Sequence, residues 1–214
     1  MTLDTAYMIT AFVTMMVVID PVAIAPIFLA LTPGMTPQQR SRIALHAVLV
    51  GGLLLAIFAF FGSAVLGFIG ISMPAFRVSG GILLFLTAMD MLFERRTKRR
   101  EGSSEIEQEH EEDNDPSVFP LAIPLIAGPG AIASVILLVN EKPGGEGLVV
   151  VLGICAVALM LMYIMLRLSS KLEQVMGKVS INVITRVLGM LLAALSVQFV
   201  LDGLAEYGFV TPLG

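Results

Sequence analysis

The stretch FPLAIPLIAGPGAIASVILLV, residues 119–139, is long enough to cross a bilayer but is interrupted at its centre by Gly128-Pro129-Gly130. A further proline, Pro124, lies one turn earlier. Proline removes a backbone donor and clashes with the preceding turn, and glycine stabilises a helix poorly, so the segment should unwind locally. Unwound backbone is tolerated at membrane depth only where it is buried in protein or lines a cavity. The pattern therefore predicts a site at this break.

A break of similar composition occurs in the first apolar run of the chain. The pentapeptide PGAIA at 129–133 resembles PVAIA at 21–25, and further along RVLGMLL at 186–192 resembles RVSGGIL at 77–83. The separation between the two motifs is 56 residues in the first copy and 57 in the second. Motifs that recur in the same order at nearly the same separation indicate two homologous halves. Chance similarity between apolar sequences is the alternative.

The composition is that of a membrane protein. Hydrophobic residues make up 57% of the chain and charged residues 14%, against about half and about a quarter in soluble domains. Residues 94–117 hold nine acidic and five basic residues, so the rest of the chain is almost entirely apolar. A basic surface of the kind that nucleic acid requires is missing, so we expect no nucleic-acid partner. No metal-ligand spacing or phosphate loop is found either, and neither an enzyme nor a metal site is predicted.

Six apolar runs of bilayer length can be placed along the chain, three on each side of the charged stretch. They cover residues 7–31, 43–70, 74–93, 119–139, 148–168 and 184–204. Eleven of the 13 Lys and Arg residues fall in or beside the connections after the first, third and fifth runs. The positive-inside tendency makes those connections cytoplasmic and places both termini outside. Since each half has three spans, the second half enters the membrane from the opposite side.

The expected fold is an all-α membrane protein of six transmembrane helices, arranged as two inverted three-helix repeats with broken first and fourth helices. The repeats occupy residues 1–93 and 118–214, and residues 94–117 form a charged cytoplasmic linker. This linker should be solvated, with its basic half near anionic lipid; a regulatory binding segment is the alternative. Inverted repeats with discontinuous helices and a site near the midplane recur in secondary transporters.

Asp20 is the one acidic residue near the centre of a predicted span. A carboxylate at that depth is costly, so by default it faces the bundle interior and contacts a cation or takes a proton. The alternative is a helix cap, because an aspartate before a proline can accept from the amides freed at a bend. We predict Asp20 as the ion-coupling residue, with a proton or a sodium ion as the coupling ion and no other cofactor.

The glycine-rich break has the opposite polarity to the Asp20 carboxylate. A half-helix that begins near Ala131 would direct free amides and a partial positive dipole towards a carboxylate or another small anion. A packing kink without a ligand is the alternative. Together the two breaks suit a small zwitterion. The predicted substrate-binding residues are those of both breaks and one hydroxyl beyond the second: Asp20, Pro21, Ala23, Gly128, Pro129, Gly130 and Ser134.

Arg77 and Arg186 occupy equivalent positions in the two halves. We predict that they gate the pathway or pair with carboxylates; the alternative is that both side chains snorkel to the headgroups. Other polar residues of the spans carry weaker signals. Thr87 and Ser196 are also equivalent, but such hydroxyls usually hydrogen-bond within or between helices. Asp90 lies close to a span end, as does Asp202, where a carboxylate can reach water.

These motifs resemble the MarC family of bacterial inner-membrane proteins. The resemblance rests on DPVAIAP at 20–26, on FPLAIPLIAGPGAI at 119–132 and on the two arginine motifs, and it covers nearly the whole chain except the charged linker. It implies a transporter of small neutral amino acids in the bacterial inner membrane, coupled to a sodium ion or a proton.

We therefore expect a secondary transporter that works by alternating access, with a small zwitterionic substrate and membrane lipid as its partners. The alternatives are an exporter of amino acids or small ions, and a non-transporting membrane scaffold in which the breaks are only kinks. The sequence leaves self-association into a homo-oligomer open.

Overall fold

The computed structural model describes residues 5–93, 116–142 and 145–209. Within these ranges all regular secondary structure is helical. The α-helices are α1 (Thr5–Ile19), α2 (Pro21–Leu31), α3 (Pro37–Ile69), α4 (Met73–Leu92), α5 (Pro129–Glu141) and α6 (Glu146–Glu206). An irregular segment with π-type hydrogen bonding, Ser117–Ile126, precedes α5. The predicted linker, residues 94–117, lies outside the described residues except for its last two positions.

The helices are suited to a membrane. Five helical stretches are long and apolar enough to cross it, when α1 and α2 are taken together and α6 is divided in two. The number rises to six if the bent pair of Ser117–Ile126 and α5 forms one span. The five cover Thr5–Leu31, Pro37–Ile69, Met73–Leu92, Glu146–Ser169 and Asn182–Glu206. Each predicted apolar run coincides with one of these segments or with the bent pair. The predicted all-α class and the multi-spanning character are confirmed.

Helix boundaries follow local sequence signals. α3 begins with a capping box, in which Thr36 Oγ1 accepts from the Gln39 backbone and Gln39 Oε1 accepts from the Thr36 backbone. It ends at Gly70, whose φ of 84° lies in the left-handed region that glycine adopts readily. Ser72 then caps α4 by accepting from the amide of Ala75. The turn between α3 and α4 is therefore short and well defined.

Pairs of contacts along α5 and along the end of the irregular segment before it give the directions of the neighbouring helices. Within each pair, the order of the residues along the two helices shows whether the helices run parallel or antiparallel. By this criterion α3 runs parallel to α5, whereas α1 and α4 run antiparallel to it. The contacts are Gly51–Ile126 and Gly62–Ile136 for α3, Gly80–Leu137 and Leu84–Gly130 for α4, and Tyr7–Leu138 and Val18–Gly130 for α1.

α6 contains two spans rather than one straight rod. A straight helix of its 61 residues would be about 92 Å long, roughly three times the thickness of a bilayer core. The stretch Glu146–Ser169 runs antiparallel to α3, and Asn182–Glu206 runs antiparallel to α4, so the chain reverses direction between the two stretches. The contacts are Ser41–Tyr163 and Gly52–Leu159 for the first stretch, and Met91–Gly189 and Val78–Gly203 for the second.

The backbone between these two stretches is helical, where the sequence predicted a connection between 168 and 184. The reason lies in its composition: residues 170–181 contain no proline, and half of them are Lys, Leu, Glu, Gln or Met, which are good helix formers. Hydropathy therefore marks the two spans correctly but says nothing about the backbone that joins them.

The first span lies at the centre of the bundle. In Thr5–Leu31, 67% of the most apolar window is buried in the protein, against 28–33% in the other four candidate spans. Its largest fully buried side chains include Met15, Ile24 and Phe28. Because neighbouring helices surround this span, a break in its backbone is shielded from lipid.

The described ends of the chain lie at the same end of the bundle. Tyr7 donates through its hydroxyl to the carbonyl of Leu138 at 2.7 Å, close to the C-terminus of α5. Glu206 accepts from Arg77 near the start of α4 at 3.0 Å. The C-terminus of α5 and the N-terminus of α4 meet, because these helices are antiparallel.

Candidate functional site

The break in the first span is a single residue wide. Asp20 adopts φ 51° and ψ 66°, a left-handed conformation that aspartate tolerates better than most side chains. Its carboxylate accepts from the amide of Ala23 at 3.2 Å, and Pro21 opens α2 as its first residue. The side chain is fully buried. Asp20 thus caps α2, the arrangement that the sequence offered as the alternative; its role in ion coupling stays a prediction.

The break in the fourth span is much wider. Phe119 and Ile123 both have extended dihedral angles, near φ −128° and ψ 125°, inside the irregular segment. Each precedes a proline, and the proline ring disfavours the helical conformation of the residue before it. The segment meets α5 at an angle of 53°. The sequence placed the interruption at the glycines and the new helix near Ala131, but the chain is irregular from Phe119 and α5 begins at Pro129.

The two glycines of this break have different surroundings. A Cβ on Gly128 would lie 2.5 Å from the carbonyl oxygen of Pro124, so a side chain there requires the backbone to shift. A Cβ on Gly130 would lie 3.4–3.5 Å from atoms of Leu84, Thr87 and Val18, which is ordinary van der Waals contact. Gly128 thus allows the carbonyl of Pro124 to approach the backbone closely, whereas Gly130 lies where the first turn of α5 packs against α4.

A cavity of about 260 Å³ lies at this second break. Its polar groups are the side chains of Thr87 and Asp90 and the backbone at the start of α5. A helix leaves its first amides without partners inside the helix, and the N-cap residue of α5, Gly128, has no side chain with which to cap them. The volume lies just below the range of drug-sized pockets, so it suits a solute of few atoms. The lining residues are Val18, Thr87, Asp90, Pro124, Leu125, Ile126, Gly128, Pro129, Gly130 and Ala131.

The predicted substrate-binding residues are only partly brought together. The glycine-rich break, Gly128 to Gly130, lines the cavity, and Val18 brings the first span into its wall. Asp20, Pro21 and Ala23 are buried and are not among the lining residues. Ser134 lies one turn beyond Gly130, fully buried, with a hydroxyl that has no hydrogen-bond partner.

Asp90 is the carboxylate that lines the cavity, and the sequence did not single it out for this role. Its position near the C-terminus of α4 suggested contact with bulk water. A usable signal was its spacing from Thr87, since residues three apart lie on the same face of a helix. Thr87 donates to the carbonyl of Leu83 at 3.0 Å, which leaves its oxygen lone pairs directed away from its own helix backbone.

The predicted gating arginines lie towards opposite ends of the bundle. Arg77 forms an ion pair with Glu206 at 3.0 Å and so joins the start of α4 to the end of α6. Beside this pair the hydroxyls of Ser72 and Tyr207 share a hydrogen bond of 2.8 Å. Arg186 is exposed on α6, one turn before the glycine that packs against Met91 of α4. Among the described residues no group of three or more His, Cys, Asp or Glu could hold a metal ion.

Comparison with known proteins assigns the fold to a family. The model of the MarC family of integral membrane proteins matches residues 5–207. The chain belongs to the MarC family. The resemblance predicted from the sequence motifs is therefore confirmed, and the match covers both halves of the chain with their breaks.

Three similar proteins are described only as membrane proteins. A "UPF0056 membrane protein" of Aquifex aeolicus is 37% identical over 198 residues, which is 92% of this chain and 91% of the relative. A protein of the same description from Methanocaldococcus jannaschii is 38% identical, covering 92% of this chain and 86% of its own. Another from Bacillus subtilis is 35% identical over 93% of this chain and 94% of the relative. No solved structure matches.

Proposed function

We propose that this MarC-family protein is a secondary transporter of small neutral amino acids that works by alternating access. The observation that carries the proposal is the cavity of about 260 Å³ at the broken fourth span. Irregular backbone at membrane depth is stable only where protein buries it or where it lines a cavity, and here it lines one. The uncapped amides of α5 point to a substrate with a carboxylate.

The proposed architecture is six spans in two inverted halves, residues 1–93 and 118–214. Three features support it. The second part of each broken span begins at a proline, Pro21 or Pro129. α4 packs antiparallel on Asn182–Glu206, as the third and sixth helices of inverted halves would. The first and the last described residues lie at the same end of the bundle. A discontinuous helix at the substrate site is a recurring feature of transporters built in this way.

We further propose the bacterial inner membrane as the location, with the charged linker in the cytoplasm and both termini outside. Asp20 is the proposed coupling residue, because a fully buried carboxylate at a helix break is suited to a proton or a sodium ion. Arg77 and Arg186 are proposed to control access from the two faces. Export of amino acids or small ions would use the same cavity in the opposite direction, whereas a scaffold would need no cavity.

Flux into sealed vesicles tests the proposal. The purified protein is reconstituted, and uptake of labelled neutral amino acids is measured under an imposed sodium gradient and, separately, under a pH gradient. We expect at least one small neutral amino acid to accumulate under one gradient and not in protein-free vesicles. If no neutral amino acid crosses under either gradient or in either direction, transport of this class is rejected.

A further inference from the structure

A polar face of α4 lies across the cavity from the first turn of α5. Thr87 and Asp90 are three residues apart, so they project from the same side of α4. The position of a Cβ on Gly130 lies 3.5 Å from Thr87 Oγ1, which places the α5 backbone directly beside this face. Both side chains line the cavity, and both are partly exposed. The cavity thus brings a carboxylate near the amide end of a helix.

We infer that Asp90 binds the ammonium group of the transported substrate, and that this substrate is an amino acid with a small apolar side chain. The inference rests on the proposed function, which places the substrate carboxylate at the start of α5. Asp90 lies about one helical turn, roughly 5 Å, along α4 from Thr87. Thr87 lies beside the start of α5, so the Asp90 carboxylate and the first amides of α5 line the same cavity with opposite polarity, as the two charged groups of an α-amino acid require.

The other walls of the cavity define the side chain. They are formed by Val18, Pro124, Leu125 and Ile126, all of them apolar. A second ionised group on the substrate would face these walls without a partner charge, and burying an unpaired charge is unfavourable. Acidic and basic amino acids are therefore excluded more strongly than alanine or valine, and the small volume excludes aromatic ones.

Asp20 cannot take the role of Asp90. It is fully buried, and its carboxylate holds the amide of Ala23 at the first turn of α2. A solute could reach it only if that turn opened. Asp90 is reached from the cavity directly, so the two aspartates are assigned different tasks: Asp90 binds the substrate cation, and Asp20 caps α2 and remains the candidate for ion coupling.

The first test measures the charge of the cavity and does not require a known substrate. In a Cys155→Ala background, Thr87→Cys places a thiol one turn from Asp90. Its modification rate is compared between a positively and a negatively charged methanethiosulfonate, and the ratio of the rates cancels the intrinsic reactivity of the thiol. We expect the cationic reagent to be faster, and Asp90→Asn to reduce the ratio by about tenfold.

The controls are chosen for matched chemistry. Asp202→Asn removes a carboxylate that accepts from Gln198 at 2.7 Å and is not part of the cavity lining, so the ratio should stay at its original value. Asp90→Glu keeps the charge and should keep the preference, which separates loss of charge from misfolding. A ratio that does not respond to Asp90→Asn overturns the inference.

The second test is uptake into sealed vesicles of L-alanine, L-valine, L-phenylalanine, L-glutamate and L-lysine. We expect L-alanine or L-valine to be preferred, and Asp90→Asn to raise the KM of the preferred one at least about tenfold. An unchanged KM in Asp90→Asn, or a preference for L-glutamate, L-lysine or L-phenylalanine, overturns the inference. If the wild-type protein takes up none of them, the proposed function fails, and the cation site is judged by the labelling ratio alone.

Discussion

Gly128 lies directly against the carbonyl oxygen of Pro124, so close that a Cβ at Gly128 would be 2.5 Å from it. Its own φ of −77° is an ordinary value for any residue, so the requirement for glycine is steric and not conformational. Gly130, two residues on, has room for a methyl group at 3.4–3.5 Å from its neighbours. The two glycines therefore predict different outcomes for the same substitution.

Gly128→Ala should destabilise the protein, and Gly130→Ala should not. The methyl group at Gly128 forces the Pro124 carbonyl away, and such overpacking costs about 1–3 kcal/mol. At Gly130 alanine favours the helix by up to about 1 kcal/mol, but its methyl group lies beside Thr87 and narrows the cavity. Thermal unfolding of the ligand-free protein in detergent measures the first effect, and substrate affinity the second. Equal melting temperatures for the two variants would contradict the geometry of the break.

Asp20→Asn should keep the stability of the protein, whereas Asp20→Ala should lower it. Asparagine keeps the cap on Ala23 and tolerates the left-handed backbone, but alanine loses the cap, which costs about 0.5–2 kcal/mol, and strains the φ of 51°. If Asp20 couples an ion, Asp20→Asn also abolishes gradient-driven uptake. Stability is read from thermal unfolding, and coupling from vesicle uptake. Uptake by Asp20→Asn with an unaltered dependence on sodium and pH would leave Asp20 as a cap alone.

The sequence predicted the spans well because hydropathy is a sum over about twenty residues and tolerates local error. It predicted the cap at Asp20 as an alternative, since an aspartate before a proline is a local signal. It did not predict the width of the second break. There Phe119 and Ile123 are extended because the proline after each of them disfavours the helical conformation. It also missed Asp90, because only the fold brings the end of α4 against the start of α5.

Gly81 of α4 and Gly203 of α6 lie in the seam where these two helices pack together. This seam should tolerate no added side chain at either glycine. A Cβ on Gly81 would lie 2.8 Å from the carbonyl oxygen of Ser196, and one on Gly203 would lie 3.0 Å from that of Pro74. Small residues of this kind let transmembrane helices approach closely. Gly81→Ala and Gly203→Ala should each lower stability by about 1–3 kcal/mol, measured by thermal or denaturant unfolding.

Gly153 provides the matched control for this seam. It is also a helical glycine, but a Cβ there would meet no atom within 4 Å. Gly153→Ala should therefore be neutral or stabilising by up to about 1 kcal/mol through helix propensity. A loss at Gly153 as large as that at Gly81 would show that alanine acts through something other than the contact between α4 and α6.

The two faces of the bundle carry different polar contacts. Ser72 and Tyr207 share a hydrogen bond, so the turn before α4 and the end of α6 lie on one face. Arg40 donates to the carbonyl of Thr32 at 2.9 Å on the opposite face, where α2 ends. Arg42 and the charged linker belong to the connections that the predicted topology places on this second face. The positive-inside tendency therefore makes the second face cytoplasmic.

Cysteine labelling in intact cells tests this arrangement in a Cys155→Ala background. Ile71→Cys and Phe209→Cys should react with a membrane-impermeant maleimide from outside, whereas Gln38→Cys should react only after permeabilisation. Each of these positions is exposed in the structure. Reaction of Ile71→Cys and Phe209→Cys from different sides would contradict the bundle itself and with it the inverted halves. Reaction of Gln38→Cys alone in intact cells would keep the bundle but reverse it in the membrane, so the basic residues near α2 would then face outwards.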